Sequence, residues 1–485
     1  MNYYDYVRLG APEIILVLAA LAVLAAGLLR QRVPGLCPGV AAAGLLFTAA
    51  AVLRLPAHAS LAHGMLVVSP LNSLFQVICL VLAFCTVILA RAGRPLPNEG
   101  EFLALLLLAT VGLLLLVGSE ELLMIFIGLE LTGLSLYLMT AFDKSRRESA
   151  EAGLKYFLFG SVASAFTLFG ISLLYGFTGT TALATIAPRL AAHALEPLLF
   201  VGVVMTLIGF LFKVAGAPFH LWAPDVYEAA PLPAAAFIAS GSKVASFVVL
   251  GKIVFFAFPF LPGSAAWHGL AAGWSPLLAL VAAGSIVVGN LVALRQKNVR
   301  RLLAYSAVAH TGYTLLGLIA GSREGFAATL FYTTIYAITL VGAFGVAGFV
   351  RRENGGDDLA DFAGLSARAP LLAGCMTIFL LSLAGLPPLA GFFGKFYLFS
   401  AALHAPGAGH GLLWLVALAL FGSLVSLYYY LIILKAIFVH ESQTTGFAFR
   451  IARLPRLTLL LLAAAILLLG VFPGTLVERI LASFL

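Results

Sequence analysis

The sequence predicts an all-α polytopic membrane protein of about 14 transmembrane helices. Three observations predict it. Of the 485 residues, 62% are hydrophobic and 10% charged, where soluble domains carry about 25% charged residues. Apolar runs of 17 or more residues recur from one end to the other, and each can cross ~30 Å of hydrocarbon. The lysines and arginines are sorted between alternate loops, as they are in inner-membrane proteins. No sizeable soluble domain has room to form.

Taken in order, the expected spans are 13–29, 37–54, 71–90, 102–118, 120–141, 152–177 and 196–217, then 231–258, 274–294, 299–320, 325–350, 370–403, 411–439 and 456–477. They are numbered one to fourteen below. Span one does not read as a secretory signal peptide. Asp5 and Glu13 come before its apolar core, and Arg30 and Arg32 come after it, the reverse of the usual order.

Loops after odd-numbered spans hold 17 basic residues: Arg30, Arg32, Arg91, Arg94, Lys144, Arg146, Arg147, Arg295, Lys297, Arg300, Arg301, Arg351, Arg352, Arg368, Arg450, Arg453 and Arg456. The other side holds 5: Arg8, Arg54, Arg189, Arg323 and Arg479. This asymmetry puts the odd loops in the cytoplasm and both termini outside. It also accounts for the net charge of +8 without nucleic acid.

The chain is organised around FLFKVAGAPFHLWAPDVYEAAPLP, Phe210 to Pro233. Lys213 lies in an apolar helix that Pro218 is expected to break. His220, Trp222, Asp225 and Tyr227 follow in a polar interruption, and the next helix carries Lys243. An ammonium at the bilayer centre costs about 2.5–3.5 kcal/mol on insertion scales, so it marks function. A helix broken at membrane depth survives only where protein or water satisfies its freed backbone groups. Together the two features describe an ion path.

The pattern recurs in SLAGLPPLAGFFGKFYLFS, where Lys395 follows Pro387 and Pro388 in span twelve. Two blocks of five spans, residues 102–258 and 274–439, thus each carry one interrupted helix with a lysine beside the break. An N-terminal three-helix segment (13–90) precedes them and one helix (456–477) follows. An odd number of spans per block requires the second block to sit inverted, the sequence pointer to a transporter's ion site.

Glu130 is the carboxylate at depth, ten residues into span five. A protonated, hydrogen-bonded acid is the bland reading; the functional one is a partner for Lys213. Opposite charges in contact stabilise each other's charged forms and lose that support on parting, which makes such a pair a switch. Lys213, Lys243 and Lys395, flanked by apolar residues on both sides, are the candidate proton carriers. Lys252 and Lys435, nearer helix ends, are expected to snorkel.

His220 and His310 are possible relays, since histidine titrates near neutral pH. His310 is expected among the hydroxyls of Tyr305, Ser306, Thr311 and Tyr313; a neutral structural histidine is the alternative. Glu151 and Lys155 are spaced as a helix-end pair or a second gate. Tyr428 to Tyr430 and Phe255–Phe256 read as packing residues, and Arg351 to Leu365 as a solvated loop, open to docking a neighbouring subunit. The four cysteines, Cys37, Cys79, Cys85 and Cys375, form no CxxC pair and read as small buried apolar residues. There is no GxGxxG after a strand pattern and no HExxH, so neither a nucleotide nor a metal site is expected.

FKVAGAPFHLWAPDVYEAAPLP, the GLEL around Glu130, RRLLAYSAVAHTGY and LSLAGLPPLAGFFGKFYLF resemble the antiporter-like membrane subunits of respiratory complex I, across nearly the whole chain. HLWAPDVYEAAP is most similar to the subunit N group. The resemblance implies a fourteen-helix fold with two inverted five-helix repeats in a bacterial inner membrane. Glu130 and Lys213 match the coupled pair, Lys243 the link to a central polar axis, and Lys395 the lysine that exchanges protons with the outside. His220 and His310 match polar-axis positions, and Glu151 a secondary carboxylate. It further implies a proton-translocating subunit of an NADH–quinone oxidoreductase without redox chemistry of its own. FMN, iron–sulfur clusters, NADH and quinone would belong to the whole complex, and the partners would be its other membrane subunits and the lipid bilayer. A subunit of a multi-subunit sodium/proton antiporter is the alternative. A non-conducting scaffold would leave four mid-membrane charges without use.

Overall fold

Each predicted apolar run becomes helix in the computed structural model, which describes residues 3–29, 35–90, 98–191, 196–405, 410–441 and 451–484. Arg30, Arg32, Arg91, Arg94 and Arg450 of the charge count lie outside the described residues. Eleven described helices are long and apolar enough to cross a membrane. The shorter apolar helices Ala11–Gly27, Pro197–Lys213, Pro370–Ala384 and Ala390–Leu403 supply spans one, seven and the two pieces of twelve. The protein is therefore an all-α polytopic membrane protein.

Neighbours along the chain pair first: span four packs on five, six on seven, nine on ten, and eleven on the second piece of twelve. Spans eight, ten and eleven form the interior; Leu232–Ala257, Val299–Ile319 and Arg323–Asn354 are almost wholly buried. Span six shows the opposite face, with Leu158, Phe159, Val162 and Phe169 exposed. In a bilayer such residues meet acyl chains, so their exposure costs little.

Four details depart from the expected pattern. A two-stranded hairpin, Ala59–Leu61 with Leu66–Val68, follows span two. A short helix, Leu183–Leu190, precedes span seven. Span eight contains two π-helical turns, Ile238–Ser242 and Ile253–Ala257, on either side of Lys243–Lys252. Such turns recur at functional sites. The loop after span eleven is tied down rather than fully solvated: Asp357 is 5% exposed, pairs with Arg351 and lies 3.4 Å from the buried Arg300.

Close approach of the last helix depends on one glycine. A Cβ at Gly470 in span fourteen would meet the Pro388 carbonyl oxygen at 2.1 Å. Span fourteen thus lies directly against the break in span twelve.

Candidate functional site

Span seven ends at Lys213, five residues before the proline expected to break it. Ala215 then takes a left-handed backbone conformation (φ 59°), unusual for a residue with a Cβ. The freed backbone groups find partners from elsewhere in the fold. The Trp222 indole donates to the Phe212 carbonyl at 3.0 Å, Thr311 to the Val214 carbonyl, and Ser285 accepts from the Ala217 N–H at 2.8 Å. The short helix Ala223–Ala229 follows, and span eight begins at Leu232. Serines and threonines on neighbouring spans therefore make the break tolerable in hydrocarbon.

Lys213 is 4% exposed, and its Nζ makes no hydrogen bond among the described residues. It lies over the rings of Tyr137 and Tyr156, 5.4 Å and 5.5 Å from their centroids, where ring quadrupoles stabilise a cation. Tyr156 is in turn stacked on Trp222 at 4.2 Å. The Glu130 carboxylate accepts from Ser164 of span six and forms no ion pair with Lys213 among the described residues. The acid and the lysine thus stand as separated neighbours, each with its own partner.

Lys243, His310 and Lys395 are strung along span ten. The Lys243 ammonium donates to the Ala307 carbonyl at 2.7 Å and lies 4.8 Å from the Tyr336 ring centroid. His310 follows three residues later; its Nδ1 is 2.7 Å from the Tyr332 hydroxyl and its Nε2 3.0 Å from that of Tyr430. Tyr430 also bonds Ser306. Tyr313, three residues on again, lies under the Lys395 ammonium at 5.2 Å. Positions 307, 310 and 313 share one helix face at steps of about 4.5 Å.

Lys395 itself donates to the carbonyls of Leu383 and Ala384 (2.9 and 3.1 Å) and to Ser423 Oγ (2.8 Å). The first two are the last carbonyls of the half-helix Pro370–Ala384, whose dipole presents negative charge there. Gly385, with φ 84°, ends that half-helix. A Cβ there would lie 3.0 Å from the lysine stem.

Glu151 belongs to a chain of charges rather than an isolated pair. Lys155 bonds both Glu151 and Asp225 at 2.8 Å. Arg301 of span ten bonds Asp225 at 2.9 Å and Glu228 at 2.8 Å. Burial works against ionisation of Asp225, but the hydrogen bonds from Lys155 and Arg301 outweigh it and hold its carboxyl below the ordinary value. His220 stands apart from these charges: it is 7% exposed, and its Nδ1 has no partner among the described residues.

Several sequence expectations are corrected here. The hydroxyls bonded to His310 come from Tyr332 and Tyr430 on other spans, and Tyr313 of its own span packs edge-on against its ring at 5.5 Å. Tyr429 and Tyr430 are fully buried and polar in role, for Tyr429 donates to Asn290 at 3.1 Å; only Tyr428 is exposed. Lys252 does not snorkel, because its ammonium is 0% exposed. Ser164, Tyr137, Tyr156, Asp225 and Arg301 escaped notice as site residues. The signal for Ser164, Tyr137 and Tyr156 is polar or aromatic character within apolar spans, whereas Asp225 sits in the polar interruption and Arg301 at the end of a basic loop. Among the described residues, no group of three or more His, Cys, Asp or Glu could hold a metal ion.

Comparison with known proteins places the fold and the family. A family model described as NADH:quinone oxidoreductase/Mrp antiporter, TM, matches residues 119–426. NADH-quinone oxidoreductase subunit N 2 of Acidobacterium capsulatum is 48% identical, with 99% of each chain covered. A chain in respiratory complex I from Thermus thermophilus with bound aureothin superposes with TM-score 0.80 at 34% identity, over 96% of this chain and 98% of that one. A chain of the membrane-bound sulfane sulfur reductase, an archaeal respiratory membrane complex, gives TM-score 0.84 at 27% identity over 97% of each.

Proposed function

Because this chain belongs to the NADH:quinone oxidoreductase/Mrp antiporter family, on its subunit N branch, we propose that it moves protons for an NADH–quinone oxidoreductase. It is a multi-pass membrane subunit of that translocase, with the other antiporter-like membrane subunits as neighbours. Flavin, iron–sulfur clusters, NADH and quinone belong to other parts of the complex. Spans four to eight and nine to thirteen are two inverted repeats, each with its broken helix. The odd loops face the cytoplasm and both termini the outside.

One observation carries the reading of the site: Lys213 ends a broken helix, buried and without a hydrogen bond among the described residues, beside an acid held by another residue. This is the parted state of a switch. Redox energy released elsewhere in the complex brings Glu130 and Lys213 together or apart, and so sets whether Lys213 keeps its proton. A released proton passes through water to Lys243, past His310, to Lys395 and outward. His220 and Glu151 serve as a secondary relay and gate, the latter through Lys155 and Asp225.

The test is co-purification from native membranes, followed by NADH-driven quinone reduction in vesicles with a pH-sensitive dye. Lys213→Ala in assembled complex should lower both proton movement and quinone reduction, and unchanged rates would sink the assignment. The family description also covers Mrp antiporters. Sodium-dependent proton movement without NADH, in a chain isolated with small hydrophobic partners only, would favour that second reading.

A further inference from the structure

The route through Lys213, Lys243 and Lys395 leaves one wholly buried lysine unused. Lys252 ends the α-helical segment Lys243–Lys252 of span eight. Its ammonium donates to the Val117 carbonyl at 2.7 Å and lies 3.4 Å from that of Ser119, at the end of span four. It is also 3.8 Å from the Glu120 carboxylate. Capping the C-terminal end of span four, where carbonyls lack partners and the dipole is negative, explains the first two contacts. A hydroxyl or a water could do as much without the desolvation cost of burying a charge.

Capping does not explain Glu120. Its side chain is 28% exposed and lines an open cavity of about 470 Å³ with His58, Arg323, Phe256 and Phe484. Those residues lie at or just beyond the ends of spans two, four, eight, ten and fourteen, so the cavity opens on the face assigned outside. The neighbouring Glu121 is committed elsewhere, for its two oxygens cap span five by accepting from Leu123 and Met124 at 3.1 and 2.7 Å. Arg323 is engaged by the Leu481 carbonyl at 2.7 Å and lies over Phe484. Glu120 is therefore the acid that joins a buried ammonium to a water-accessible cavity.

We propose that Glu120 and Lys252 form an outward-facing proton-exchange site of the first half of the chain, separate from Lys395. The inference rests on the proton-moving role and on the sidedness proposed above. The Lys252 ammonium gives a proton to the Glu120 carboxylate, leaving a neutral amine and a carboxylic acid. The acid passes that proton to water in the cavity and becomes carboxylate again, and the amine is reprotonated from the protein interior. One water, or a small rotation of the Glu120 side chain, closes the 3.8 Å gap.

The experiment uses the intact complex in sealed vesicles and counts protons moved per NADH oxidised. Glu120→Gln should lower that ratio while leaving the complex assembled, and Glu120→Asp should restore most of it. In Glu120→Cys, a membrane-impermeant thiol reagent added to the outer face should cut the ratio further, with no such effect on the unsubstituted chain. An unchanged ratio in Glu120→Gln overturns the proposal, and more clearly so if Lys252→Met merely fails to assemble, because Lys252 would then be a helix cap alone. Lys213→Ala runs alongside: if it lowers proton movement and Glu120→Gln does not, this site fails while the main assignment stands. If neither has an effect, the assignment itself fails.

Discussion

Gly133 and Lys213 are in near contact: a Cβ added at Gly133 would lie 3.3 Å from the Lys213 Nζ. Gly133 is one helical turn beyond Glu130, so the missing side chain leaves room for the ammonium close to its acid. The same Cβ would stand 3.1 Å from the Tyr137 hydroxyl. Gly133→Ala is expected to slow NADH-driven proton movement in assembled complex, and Gly133→Val to slow it further. Dye quenching in vesicles, normalised to the amount of complex on native gels, measures this.

In the proposed route the Lys213 amine is a proton carrier rather than a packing group. A positioned proton-transfer group is worth about a hundredfold or more, so Lys213→Ala should depress pumping by about that factor. Lys213→Arg should not rescue it, because a guanidinium does not give up its proton in a protein. Parallel NADH:quinone assays on the two variants decide the point.

Asp225 holds Lys155 and Arg301 together, two cations contributed by spans six and ten. Asp225→Asn should loosen the helix Ala223–Ala229 by on the order of 1 kcal/mol, a charged hydrogen-bond loss discounted for partial exposure. Because the folded Asp225 carboxyl sits below its ordinary value, its stabilisation is complete above pH about 4 and disappears as pH falls through the folded value. Hydrogen exchange at residues 223–229 should therefore rise in acid in the wild type. In Asp225→Asn it should already be raised at pH 7.

Tyr430 joins His310 to Ser306 through one buried hydroxyl. Tyr430→Phe keeps the ring and should cost about 1 kcal/mol of stability while slowing proton transfer between Lys243 and Lys395. Normal assembly with a reduced ratio of protons to NADH is the expected result. An unaltered ratio would show that His310 is served by Tyr332 alone.

The spans and the main charges were legible because each announces itself locally. A run of apolar residues needs no partner to be recognised, and a lysine inside one stands out for its insertion cost. Lys213, Lys243 and Lys395 are expected at depth on that ground and are buried, whereas Glu130 is only partly so. What stayed hidden depends on contacts between distant spans. Tyr430 reads as an aromatic in a helix until span thirteen is seen beside His310. Lys252 reads as a snorkelling lysine until the end of span four is found covering it. The break in span seven was placed at Pro218, whereas the helix already ends at Lys213, where Trp222 and Thr311 replace intrahelical partners. Asp225 looked like part of a polar interruption, and only folding brings it between Lys155 and Arg301.

The donors and acceptors that settle the break in span seven bear on how the chain is made. Ser285 and Thr311, which serve Ala217 and Val214, are synthesised 68 and 97 residues later. Until spans nine and ten have left the ribosome and entered the bilayer, those backbone groups have no protein partner, at a cost of several kcal/mol each in lipid. Biogenesis must therefore hold span seven at the edge of the insertion machinery, or keep it wet, while the second half is delivered. A fragment stopping after span eight would carry an unfinished joint, and quality-control proteases would be expected to degrade it.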